Sequence, residues 1–369
     1  MNGVSLFSNV GISDFYLNNF GIDIKVANEL IPKRADLYSR FYPNSNMICG
    51  DITDENIYNK VLKSAIDKKC KFLIATPPCQ GMSFAGKRQQ DDPRNNLVVK
   101  AVNFIKDLKP DYVILENVPS FFKTKLIIDG KEIIISDYLD KELSKIYNIN
   151  KSILDAGDYG TAQIRKRAIA ILTKKPIPLW DFPKKQKQIT VQEAIGYLPS
   201  LESGEKSHIP YHFAKKHNDK HILWMRHTPT GKTAFDNKIY YPQKENGETI
   251  KGYRTTYKRI NWDKPAPTIT MCNGGVSSQN NVHPGRKKSD GTYSDARVLS
   301  LKEIFILTGL PDNISFPNWA SENLIRQVIG EGVPPKLISS LLGTMPNYKN
   351  HIKGFKENKF KERELFTVA

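Results

Sequence analysis

Phe72-Leu73-Ile74-Ala75-Thr76-Pro77-Pro78-Cys79-Gln80-Gly81-Met82-Ser83 reads as a short buried strand that stops at two prolines and delivers a cysteine just past its end. A brief apolar run bounded by turn residues suits a strand covered on both faces, as in a parallel sheet flanked by helices. In such sheets ligands sit beyond the carboxyl ends of the strands, so Cys79 falls at the ligand edge. The two prolines preset the backbone that carries it. Taken alone, a cysteine there is as readily a small hydrophobe filling a turn as a nucleophile.

The surrounding chain repeats the pattern. Residues 4–7, 25–29, 47–51, 112–116 and 167–172 read as further strands. Residues 55–68 and 96–108 carry Ile57, Val61, Leu62, Ala65 and then Val98, Val102, Ile105 at helical spacing. Ser13-Asp14 resembles a helix N-cap, with Gly21 as its stop. Residues 1–177 therefore predict a doubly wound α/β domain. Past Lys174 the texture changes: Pro176, Pro178 and Pro183 and the run Lys184-Lys185-Gln186-Lys187 mark a boundary. Residues 178–320, rich in Lys, Arg, His, Tyr and Gly, predict a smaller, irregular domain. Residues 321–346 return to helical patterning and are expected back on the first domain, and residues 347–369 form a basic tail.

Composition narrows the partners. The 369 residues hold 55 Lys and Arg against 38 Asp and Glu, a formal net charge of +17. Such an excess points toward a polyanion such as nucleic acid, although genome-wide bias toward Lys, Asn and Ile is an alternative source of part of it. Cys49, Cys70, Cys79 and Cys272 stand far apart, without CxxC or Cys/His spacing, so neither a disulfide framework nor a metal site is expected. No run reaches the roughly 18 apolar residues of a membrane span. The N-terminus lacks a signal-peptide pattern, so a soluble, cytoplasmic protein is expected; a monomer is expected as well.

Two further elements converge on the edge where Cys79 stands. Leu115-Glu116-Asn117-Val118-Pro119 ends a strand with a carboxylate, and Gln163-Ile164-Arg165-Lys166-Arg167 leads into the last strand. Strand alternation would turn Gln163, Arg165 and Arg167 to one side. Singly, the glutamate reads as a solvated or capping residue and the arginines as a basic edge.

Together, Pro-Cys-Gln, Glu-Asn-Val and Gln-x-Arg-x-Arg in that order resemble the DNA cytosine-5 methyltransferase family. The likeness extends over nearly the whole chain. It takes in Leu6-Phe7-Ser8 with Gly11, Gly50-Asp51-Ile52, Pro265-Ala266-Pro267-Thr268-Ile269-Thr270, the stretch from Arg297 to Glu303, and Gln327-Val328-Ile329-Gly330 followed by Val333-Pro334-Pro335. The resemblance implies a Rossmann-like S-adenosylmethionine-dependent methyltransferase domain joined to a target-recognition domain.

It also implies roles. C5 of cytosine is too weak a nucleophile to take a methyl group directly, so Cys79 adds as a thiolate at C6. Glu116 serves ring N3, protonated with the help of partial burial. Arg165 and Arg167 hold the base oxygen and a nearby phosphate. The target base must be flipped out of the duplex, and residues 80–94, with Gln80, Ser83, Lys87 and Arg88, are expected to close over the DNA. For S-adenosylmethionine the expected contacts are Phe7, Ser8 and Gly11 at its amino-acid end, Glu29 and Leu30 at the ribose, and Asp51 and Ile52 at the adenine. Pro78, Leu97, Gly332 and Val333 are expected nearby.

Here the chain departs from the family. Phe7-Ser8-Asn9-Val10-Gly11-Ile12 lacks two of the glycines in Phe-x-Gly-x-Gly-Gly, and Gly330-Glu331-Gly332-Val333 stands where Gly-Asn-Ser-Val is common. Asn tolerates the left-handed backbone that glycine would supply.

Within the second domain, Lys251, Arg254, Lys258 and Arg259 are candidate phosphate contacts on double-stranded DNA. A restriction endonuclease acting on the same site is a candidate partner. Two other readings stand beside this one. An RNA cytosine-5 methyltransferase would carry a Cys-Phe-Thr signature that this chain lacks. A catalytically silent DNA-binding relative would fail to bind S-adenosylmethionine.

Overall fold

The structure, a computed structural model, describes residues 1–78 and 97–347. The chain forms two compact units, the first made of residues 1–155, 166–185 and the chain from 337, the second of residues 156–165 and 186–336.

The first unit is built on a seven-stranded sheet of order β3-β2-β1-β4-β5-β9-β8. β1 (Asn2–Leu6), β2 (Asp23–Glu29), β3 (Asn46–Cys49), β4 (Phe72–Ala75) and β5 (Tyr112–Asn117) are mutually parallel. β9 (Lys166–Lys174) runs antiparallel to β5, and β8 (Tyr147–Asp155) antiparallel to β9. The expected strands are all present within two residues, but the sheet is mixed rather than wholly parallel. The sequence reading missed β8 because its residues, Tyr-Asn-Ile-Asn-Lys-Ser-Ile-Leu-Asp, are mostly half-buried and form no apolar run, as befits an edge. Strand order reverses between β1 and β4, which makes their carboxyl ends the crevice where a doubly wound sheet binds ligands.

Helices α1 (Pro32–Phe41), α2 (Glu55–Asp67), α3 (Leu97–Leu108) and α4 (Ile135–Leu143) cover the sheet. Asp54 caps α2 by accepting from the amides of Asn56 and Ile57. Val61, Ala65, Val102, Phe104 and Ile105 join Leu73, Val113 and Leu115 in one buried cluster. A small hairpin, β6 (Lys125–Ile128) with β7 (Lys131–Ile134), lies between β5 and α4. The helix expected from Ser13 is replaced by two single 3-10 turns, Ile12–Asp14 and Leu17–Phe20. The cause is the buried Asp14 carboxylate, which accepts from Ser13 and from the Tyr38 hydroxyl instead of capping a helix.

The second unit has little regular structure, as its composition suggests. α5 (Val191–Ile195), α6 (Asp219–Arg226), α7 (Leu301–Thr308) and α8 (Glu322–Glu331) are joined by loops and isolated bridges. Polar bonds organise it. Arg297 donates to both oxygens of Glu303 and to Asp295, each at 2.9 Å, and all three side chains are buried.

The boundaries differ from those expected. Residues 178–185 stay with the first unit because Trp180 is fully buried there, its indole donating to Leu341 O at 3.1 Å. Of residues 321–346, those from Leu337 onward, which include most of α9 (Pro335–Leu342), pass into the first unit. α8 stays in the second, where Arg326 donates to Asn273 Oδ1 and Leu299 O at 3.0 Å each. The expected basic tail lies, apart from Asn347, outside the described residues. Among the described residues no helix is long and apolar enough to cross a membrane, and no cluster of metal-ligating side chains occurs.

Candidate active site

Within the first unit, the ends of the parallel strands are knitted together by side chains that sequence reasoning did not single out. Asn28, buried in β2, donates to Ile48 O at 2.9 Å and Gly50 O at 3.0 Å, fixing the turn that carries Asp51 and Ile52. Ser8 bonds Asn28 O through its amide and its hydroxyl. Thr76 Oγ1 donates to Phe7 O at 3.1 Å, tying the end of β4 to that of β1. Its place beside Glu29 at the carboxyl end of β2 was the available signal for Asn28.

Glu29 is 6% exposed, and each of its oxygens accepts one backbone amide at 2.9 Å, from Asn9 and Ile31. Beside this carboxylate, Leu30 and Ile31 are 60% and 40% exposed. A fixed buried carboxylate next to uncovered apolar side chains at a sheet switch point fits a ligand with hydroxyls and an apolar ring, as S-adenosylmethionine has. The departure from the glycine pattern is also accommodated. Asn9 adopts a positive φ of 50°, and Gly11 sits at φ 77°, where a Cβ would come within 2.3 Å of the Tyr42 ring. Ile12, replacing the last glycine of the pattern, is buried in the core.

Ile52 is buried, Asp51 is exposed with Oδ1 accepting from Thr53, and Leu97 opens α3 half-buried against the core. Pro78 is the last described residue before Cys79. Cys79 itself, with Gln80, Ser83, Lys87, Arg88 and the rest of the expected closing loop, lies outside the described residues. The backbone that leads to it is anchored. Asn117 Nδ2 donates to Pro77 O at 3.0 Å, while Asn117 Oδ1 accepts from Val118 N at 2.8 Å. Asn117 is 2% exposed and immediately follows Glu116.

Glu116, at the end of β5, meets Arg167, from the start of β9: Nε donates to Oε1 at 2.8 Å, with side-chain exposures of 7% and 13%. Arg165 behaves differently, and the expected common side for Gln163, Arg165 and Arg167 is not formed, because the strand begins only at Lys166. In the second unit, Arg165 donates to Ile269 O, Gly330 O and Glu331 O at 2.8 to 3.1 Å. Gln163 bridges to Ile269 N at 3.1 Å, and Ile164 N bonds Ala266 O at 2.8 Å. The Gln-x-Arg segment thus holds the Pro265–Thr270 stretch, and Arg165 also clamps the carbonyls at the end of α8. Gly332 and Val333, also in the second unit, are buried after α8.

Of the candidate phosphate contacts, Lys251 is exposed and Lys258 half-buried. Arg254 is exposed and ion-paired with Asp236. Arg259 is a correction: it is fully buried and donates five hydrogen bonds, to the backbone carbonyls of Met225, His283, Ser294 and Asp295. No phosphate reaches it. Sequence cannot distinguish an arginine that holds loops together from one that faces a ligand.

The profile of the C-5 cytosine-specific DNA methylase family matches residues 1–347. The chain is 54% identical over 344 residues to the Type II methyltransferase M1.HgaI of Avibacterium volantium, covering 92% of this chain and 96% of that protein. It is 27% identical to the Type II methyltransferase M1.HphI of Haemophilus parahaemolyticus, covering 92% and 84%. Among solved structures, a putative DNA modification methyltransferase encoded within an E. coli prophage superposes with a TM-score of 0.69 at 22% identity, covering 95% and 99%.

Proposed function

Since this chain belongs to the C-5 cytosine-specific DNA methylase family, we propose that it methylates cytosine in a specific duplex site through Cys79, with Glu116 and Arg167 as the groups that serve the flipped base. The Glu116–Arg167 pair is the observation that carries this assignment. It joins a carboxyl group and a guanidinium at the ends of two neighbouring strands, on the edge where the Pro77-Pro78 segment also arrives.

The cysteine thiolate adds to C6 of the base, and the ring electrons move toward N3 as the C5–C6 double bond is consumed. Glu116 meets the charge that gathers at N3, as hydrogen-bond donor or proton source. Arg167 fixes that carboxyl group and presents cationic N–H donors to the ring oxygen. Phe7, Ser8, Gly11, Glu29, Leu30, Asp51 and Ile52 would hold S-adenosylmethionine, which would supply an electrophilic methyl group to C5 and leave as S-adenosylhomocysteine. Loss of the C5 proton then lets the C6–S bond break, returning Cys79 as a thiolate. The names of the relatives support a place in a Type II restriction-modification pair, with an endonuclease that cuts the same site when it is unmethylated.

Duplex DNA carrying 5-fluorocytosine tests the reading, because fluorine at C5 blocks the final elimination. With S-adenosylmethionine, a covalent protein–DNA adduct is expected from wild type and absent from Cys79→Ser. Binding of DNA and S-adenosylmethionine without any adduct would sink the assignment and favour the catalytically silent reading.

A further inference from the structure

Within the second unit, Trp224, Met225, Ala234, Tyr257, Val276 and Val282 form a buried cluster, and two loops rise from it that leave their largest apolar side chains in water. Tyr253 is 75% exposed and Ile239 71%, more than any other large hydrophobic residue among those described. The loops that bear them are not loose. Asn237 Nδ2 donates to Trp224 O, Thr228 Oγ1 and Tyr240 O at 2.7 to 3.1 Å. The Tyr240 ring stacks on His227 at 4.1 Å. On the other loop, Tyr253 O accepts from the amide and the hydroxyl of Thr256.

The two loops are also bound to each other. Arg254 pairs with Asp236, and Gly252 packs so closely on Phe235 that a Cβ would lie 2.9 Å from its ring. Lys238 and Lys251, both exposed, flank the two apolar tips. With Asp236 engaged by Arg254, the immediate rim is cationic.

From this arrangement we infer that Ile239 and Tyr253 are specificity-determining residues, which read base edges of the duplex while Lys238 and Lys251 hold adjoining phosphates. The inference rests on the DNA methyltransferase reading and deepens it. Cations at the rim match a phosphate backbone, and they supply affinity without sequence preference. Apolar tips between them suit what lies in the groove: the C5-methyl of thymine takes an aliphatic side chain such as Ile239. Tyr253 offers a ring face and a hydroxyl that donates or accepts at a base edge. Side chains held out by a braced backbone reach such contacts with little conformational entropy left to lose.

The test is methylation of a pool of randomised duplexes by the full chain, followed by conversion sequencing of the modified cytosines. Wild type should yield one preferred sequence. Ile239→Ser and Tyr253→Ser should each relax the preference at one or two positions by about tenfold or more, with affinity for unrelated DNA within about twofold of wild type. Lys251→Ala should instead weaken binding to all sequences and flatten its salt dependence. Ile239→Val and Tyr253→Phe, with unfolding midpoints for every variant, separate lost contacts from lost structure. Active variants whose preferences match wild type overturn the inference alone, as does a uniform loss of affinity without relaxed preference. A wild type that methylates no duplex would overturn the enzyme reading and this inference together.

Discussion

Replacing Asn117 by Ala removes a buried side chain that joins the Glu116 strand to the backbone preceding Cys79. Two bonds are lost, to Pro77 O at 3.0 Å and from Val118 N at 2.8 Å. A buried polar group left without its partner costs about 1–3 kcal/mol. Pro77 is buried and Val118 half-buried, so the amide of Val118 regains some solvation, and a total near 2–4 kcal/mol is expected. That lies below the roughly 5–15 kcal/mol of a typical protein, so the variant should fold. The larger effect is on rate, since a displacement of about 1 Å at a reacting group costs on the order of 100-fold. Formation of the 5-fluorocytosine adduct at saturating DNA should slow by about that factor, while the concentration of DNA giving half-maximal rate changes little. Asn117→Asp keeps the acceptor for Val118 and loses the donor to Pro77, and should be slowed comparably. An Asn117→Ala protein that destabilises as expected but forms adduct within about threefold of the wild-type rate would refute the claim that this bond positions Cys79.

Arg167→Lys, which loses the planar guanidinium fork, should slow adduct formation by on the order of 100-fold with DNA binding retained in gel-shift titration; undiminished rates would remove Arg167 from the site. Gly11→Ala should cost at least about 1–2 kcal/mol for the left-handed backbone alone, before the Tyr42 ring moves, and should lower the urea midpoint and weaken the thermal shift caused by S-adenosylmethionine. Arg259→Ala should destabilise the protein by on the order of 4 kcal/mol, because the carbonyls of Met225, His283, Ser294 and Asp295 lose their donors together; unfolding near the wild-type midpoint would restore Arg259 to the list of surface cations. Burial, with Arg297 nearby, lowers the His283 imidazole to about 4, below the unfolded value of about 6.5. The unfolded chain therefore binds the extra proton, and stability that is full above pH ~6.5 should fall by up to roughly 3 kcal/mol as the pH drops toward about 4. Urea melts of wild type and His283→Gln between pH 7 and 4.5 check this, and equal slopes would exclude His283 as the cause.

Residue pattern alone was enough to place the sheet and its ligand edge. Apolar runs such as Phe72–Ala75 and Tyr112–Asn117 have no plausible place except a sheet covered on both faces, and the residues at their ends then fall at one edge. Glu116 and Arg167 became candidates only through the order of the motifs that contain them and the family resemblance those motifs carry. What the sequence left open were properties of partners distant in sequence. The antiparallel turn of β9 depends on β8, an edge strand without an apolar signature. Arg165, Arg167 and Arg259 are alike in the sequence, yet one clamps the carbonyls of Ile269, Gly330 and Glu331, one pairs with Glu116, and one is sealed among loops. A guanidinium has five donors and no preference written in its own neighbourhood. The three are told apart by partners far away in the chain, since folding brings backbone carbonyls to Arg165 and Arg259 and a carboxylate to Arg167.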